Sequence, residues 1–170
     1  MVERKIIVSD LEIGYEGLFD SADLFRFIED WFQRNGYEKN EIKNVERVGE
    51  KGKYVYLEIM PYKEINDYTK TEIYVKIRIN DLVETKVKKD KKEFKINKGK
   101  ASIIMDAFVA SDIRYRWASK PLFYLTRVIF NKFVYKEYME KFEKALMEDV
   151  KNFHSELKAY LNLERYKEQA

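Results

Sequence analysis

Few side chains in this sequence are equipped for chemistry. It contains one histidine, His154, and no cysteine. Without thiols there can be no disulfide, thiolate nucleophile or thiolate metal site. His154 lies in "VKNFHSEL" within a helical pattern. A zinc site there would have only carboxylates to add, and a general base would need an orienting partner that the sequence does not supply. It reads as a partly exposed helix residue. No G-x-S-x-G, H-E-x-x-H or glycine-rich phosphate loop occurs. The sequence therefore assigns no catalytic residue, no metal ligand and no cofactor, and a non-enzymatic protein is the expectation.

Three other groups of residues could carry function. Asp106 interrupts the apolar run "SIIMDAFVA". Buried alone it would be costly, so it must either answer Arg114 or Arg116 or sit on a wet sheet face. Strict alternation with Met105 and Ala107 favours the wet face. The segment 86–100 carries Lys86, Lys88, Lys89, Lys91, Lys92, Lys95, Lys98 and Lys100 against Asp90 and Glu93. These lysines could contact the phosphates of RNA or an acidic protein. Phe94 is the segment's only aromatic, however, and a solvated hairpin whose lysines block edge pairing is the plainer reading. Finally, "SKPLFYLTRVIFNKFVYKEY", from Ser119, mixes six aromatics with four cations. Lys120 and Arg127 fall off the line of Lys132 and Lys136. The clean apolar/basic split of a membrane-surface helix is absent, and a core or subunit-interface helix is expected.

The rest of the chain must position these groups. At 170 residues, 45% hydrophobic and 37% charged, it can bury a substantial core, and one domain spanning 1–170 is expected. The net charge is only +3, but residues 10–30 hold seven acids against Arg26, so acidic and basic ends are expected. "MVERKIIVSD" lacks the apolar core of a secretory signal, and no run approaches a membrane span, which predicts a cytoplasmic protein. Abundant Lys and Glu with two Gln would suit a thermophile.

Hydropathy patterning gives an α+β order. "ERKIIVSDLEIGY" is a first strand with a bulge near Ser9. A helix over 21–35 is announced by Asp20 as N-cap, by Phe19 stapling onto Leu24, and by Gly36 at its end. "EIKNVERV" and "KYVYLEIM" form a hairpin through "GEKG". "TEIYVKIRI", a charged hairpin around Lys89–Lys91, "ASIIMDAFVA" and "DIRYRW" follow as antiparallel strands. From Ser119 the pattern is helical. A straight helix over 121–165 would be ~67 Å long, against a molecular diameter of roughly 40 Å, so a break within 130–136 is expected. The piece carrying Leu122, Leu125 and Ile129 should enter the sheet. The following piece, with its Tyr138–Phe142–Leu146–Phe153 stripe, should cover an outer surface or form a homodimer.

This order of strand, helix, a curved antiparallel sheet of about six strands and a long C-terminal helical segment resembles the helix-grip superfamily (START-like, birch-allergen-like). The resemblance rests on topology and covers the whole chain. It implies a cavity between sheet and helix for a hydrophobic or amphipathic small molecule, lined here by Val55, Leu57, Ile59, Ile73, Val75, Ile77, Met105, Leu125 and Ile129. The alternative is a macromolecular interaction module that uses the lysine hairpin.

Overall fold

The computed structural model describes residues 3–89, 92–111 and 135–169. It is an α+β structure: a curved antiparallel sheet whose inner face carries two helices. The elements are β1 (Glu3–Phe19), α1 (Ser21–Arg34), β2 (Glu41–Gly49), β3 (Gly52–Ile59), β4 (Tyr62–Glu64), β5 (Thr69–Lys89), β6 (Lys92–Ser111) and α2 (Tyr135–Gln169). The strand order is β1-β6-β5-β3-β2, and β4 pairs with β5 beyond the end of β3.

Local sequence explains α1. The Asp20 carboxylate accepts from the N–H groups of Ala22 (2.8 Å) and Asp23 (3.1 Å), satisfying donors that the first turn leaves open. Gly36, at φ +76°, takes the left-handed conformation that turns the chain away after the last turn. Leu24, Ile28, Trp31 and Phe32 form the buried stripe, each contributing about 1.5–3 kcal/mol through removal from water.

The sheet follows its alternation with two irregularities. β1 shifts register between Ile6 and Leu11, where Asp10 adopts φ 54°; this is the bulge expected near Ser9. β5 and β6 are longer than sequence alone suggested. The apolar strands and the lysine hairpin are one continuous ribbon, paired from Thr69–Ser111 to Lys89–Lys92. A bulge between Asn80 and Val83 reverses its faces, so Ile79 and Leu82 are both buried despite their opposite parity. Gly52 is required beside that bulge. It sits at φ +132°, and a Cβ there would lie 2.9 Å from the Asp81 carbonyl carbon.

The core joins the inner sheet face to both helices. Ile73, Val75, Ile77, Ile103 and Met105 share it with Leu146, Val150, Phe153 and Leu157 of α2. This corrects one expectation. Leu146 and Phe153 are 1% and 0% exposed within the chain, so that part of the stripe packs on the molecule's own sheet and is not a dimer surface. The physical reason is that β1, β5 and β6 present an inner face of Ile, Val, Ala and Met that this stripe covers. Phe153 also meets Trp31 and Phe32 of α1, with ring centroids 4.8 Å apart in each case. The short strand "DIRYRW", the start of a helix at Pro121 and the expected break through residue 134 lie outside the described residues.

One polar group is buried against the pattern. Glu72 has outward parity, yet it is 1% exposed. Its carboxylate accepts from Arg4 Nε at 2.7 Å and lies 2.8 Å from Lys70 Nζ. Burial alone would raise its pKa, but these two cations outweigh burial and hold it below the ordinary carboxylate value.

Candidate functional site

Among the described residues, a cavity of about 480 Å³ lies between α1 and the β2–β3 hairpin. It arises because α1 packs sideways onto α2 through Trp31, Phe32 and Phe153, leaving its other flank facing β2 and β3. Val55, Leu57 and Ile59 supply the sheet wall, and Phe25, Ile28 and Phe32 the helix wall. β2 adds polar inward residues, Asn44 and Glu46, at the mouth. A strand whose inward positions are polar suits a face that meets water rather than a packed helix.

The rest of the wall is fixed by hydrogen bonds. Tyr37 donates its hydroxyl to Asp149 of α2 at 2.8 Å. Burial first, then the neighbouring Asp149 charge and that hydrogen bond, push the phenol pKa far above its ordinary value, so Tyr37 stays a neutral donor. At the mouth Lys39 pairs with Glu29 at 2.7 Å and Lys53 with Glu46 at 2.6 Å. Glu41 also lines the mouth and makes no ion pair among the described residues. The result is an apolar floor with a polar, mildly acidic rim.

The structure brings together only some of the residues expected to bind ligand. Val55, Leu57 and Ile59 line the cavity. Ile73, Val75, Ile77 and Met105 are fully buried in the core beside it and do not line it. Leu125 and Ile129 lie outside the described residues. The helix wall was missed, although Phe25 and Phe32 widen the apolar arc of α1 beyond the Leu24–Ile28–Trp31 stripe, and that was the available signal.

The hairpin lysines are largely committed to neighbours. Lys86 and Lys88 lie 3.8 and 3.6 Å from Glu93, Lys95 lies 2.9 Å from Glu84, and Lys100 lies 3.6 Å from Glu16. Lys92 and Lys98 are exposed and make no ion pair among the described residues. The side chains of Lys89 and Lys91 are outside that set. Asp106 sits on the outer sheet face, accepting from the N–H of Asp10 at 2.8 Å with Lys76 Nζ 3.9 Å away. His154 is partly exposed on α2. No group of His, Asp and Glu among the described residues is arranged to hold a metal ion, and no described helix is long and apolar enough to cross a membrane. Comparison with protein-family models, curated proteins and solved structures finds no match to this chain.

Proposed function

We propose that the protein is a non-enzymatic binding protein that holds an amphipathic small molecule between α1 and the β2–β3 hairpin. The observation that carries this reading is the 480 Å³ cavity with its apolar floor and polar rim, a size and composition typical of ligand sites. The order of sheet and C-terminal helix is compatible with a helix-grip-like relationship, in which hydrophobic ligands lie between the sheet and the C-terminal helix rather than against α1. The site differs from the sequence expectation in using α1 as its helical wall.

Its size and rim specify the ligand further. At the ~30 Å³ that a water molecule occupies, the space takes about sixteen non-hydrogen atoms. At ~0.3 kcal/mol per atom this gives about 5 kcal/mol, or a Kd of ~0.2 mM. Glu41, left over once Glu29 and Glu46 are paired, favours a neutral or amine head over a carboxylate. Native mass spectrometry with decylamine added at millimolar concentration should show one molecule bound, and calorimetry should show decylamine binding more tightly than decanoate. Leu57→Trp, which fills the floor, should abolish both signals while the protein stays folded. Absence of any bound mass together with no heat from either amphiphile would sink the reading.

A second reading, a polyanion contact through the hairpin, is favoured only by the exposed, uncommitted Lys92 and Lys98. Reversal of both to Glu should weaken any such contact and reduce its salt dependence.

A further inference from the structure

The outer face of the sheet, opposite the cavity, gathers aromatics and cations from strands distant in sequence. Register places Arg47 beside Tyr54, Val45 beside Tyr56 and then Arg78, and Lys43 beside Glu58 and then Lys76. On this face Lys43 Nζ and Arg78 Cζ lie 5.6 and 5.9 Å from the Tyr56 ring centroid, and Lys76 Nζ lies 4.8 Å from that of Tyr74. Lys43, Arg47 and Arg78 are exposed and the tyrosines half-buried, whereas both helices share the core with the opposite face. Carboxylates adjoin these groups too: Asp106 is the register partner of Tyr74 and lies 3.9 Å from Lys76 Nζ, and Glu58 is engaged by the hydroxyls of Tyr56 and Tyr74. Hydrogen bonding to that carboxylate, with burial, pushes the Tyr56 phenol up to about 12, so the pair stays a neutral ring on an anchored anion.

We propose that this face of β2, β3 and β5 binds single-stranded nucleic acid. Tyr56 and Tyr74 offer rings to unstacked bases, and Lys43, Arg47 and Arg78 offer charge to the backbone. Tyr54 and Tyr56, two residues apart on β3, stand ~7 Å apart, which lets successive bases settle there, while Tyr74, four residues along β5 from the Arg78 opposite Tyr56, stands roughly 14 Å from Tyr56 and takes a base further along the strand. The cations already lying on the rings fit this use. A base takes the ring face, and the ammonium it displaces meets the phosphate of the same nucleotide, so neither group is left without a partner. The flat Arg78 guanidinium is itself a stacking surface. Duplexes cannot present base faces to the rings, so single strands are preferred.

Fluorescence anisotropy with a short labelled oligouridylate tests this. The full chain should bind with log K falling against log salt at a slope of about −2, the value for three phosphates on a single strand. Tyr56→Ala should weaken binding about tenfold by loss of one stacked base. Arg47→Ala, at an exposed position without an ion pair among the described residues, should weaken it and flatten the slope without threatening the fold. Three results would overturn the proposal: no binding at low salt, displacement by polyglutamate as effective as by unlabelled oligouridylate, or loss of binding in Lys92→Glu/Lys98→Glu with none in the Tyr56 and Arg47 variants. The cavity on the other face is unaffected by these changes, so the two readings fail separately.

Discussion

Glu72→Gln isolates the one carboxylate buried among the described residues. The substitution keeps the shape and removes the charge that faces Arg4 at 2.7 Å and Lys70 at 2.8 Å. Stripping one member from a fully buried pair typically costs 3–5 kcal/mol. Here the partners keep contact with water, Arg4 being 49% and Lys70 24% exposed, so both stay solvated after the change. The loss is then that of hydrogen bonds to a charged group, about 2 kcal/mol, or ~4–8 °C in Tm for a chain of this length. The folded carboxyl titrates below its unfolded counterpart. Its contribution is therefore fully present above the unfolded value of ~4.3 and is lost as pH falls through the lower folded value. Urea unfolding of both proteins, compared at constant m, should show the full gap near pH 7 and a shrinking gap below about pH 4. A variant as stable as the parent near neutrality, or a gap that widens on acidification, would refute the reasoning.

Two further changes test the packing that positions the cavity. Phe153→Ala removes a fully buried ring that touches both Trp31 and Phe32, and should cost about 3–5 kcal/mol in urea unfolding while also widening the cavity's helical wall. Gly52→Ala places a methyl 2.9 Å from the Asp81 carbonyl carbon at a φ that L-residues avoid, and should lower stability by at least ~1 kcal/mol, with amide exchange rising first around residues 52 and 81–83.

The parts of the fold written in local signals were legible. Asp20, the Leu24–Ile28–Trp31 stripe and Gly36 define α1 without reference to anything outside it, and the β2–β3 turn is carried by its own glycines. Long-range choices were not. The α2 stripe reads equally well as a core face or an interface, and only the apolar inner face of β1, β5 and β6 selects the first. Alternation puts Glu72 outward, and its burial depends on Arg4, 68 residues away. The Asn80–Val83 bulge separates two stretches of opposite parity that look like separate strands in the sequence. The cavity was half legible: the apolar face of β3 was evident, but its opposite wall required knowing that α1 leans on α2.

The pairing of β1 has a consequence for synthesis. β1 pairs with β6, from Phe19–Asn97 to Glu3–Ser111, so its partner lies 78 to 108 residues further along the chain. At about 5–20 residues per second, β1 leaves the ribosome roughly 4–20 s before β6 does. Throughout that interval a strand of 17 residues has no complement and offers its backbone to any other nascent chain nearby. Its outward side chains answer that exposure. Glu12 and Glu16, opposite Ile104 and Lys100, place charge on the outer face at positions that contribute nothing to the final core. Replacement of Glu12 and Glu16 by Thr would leave the finished fold nearly unchanged and raise the aggregated fraction during expression.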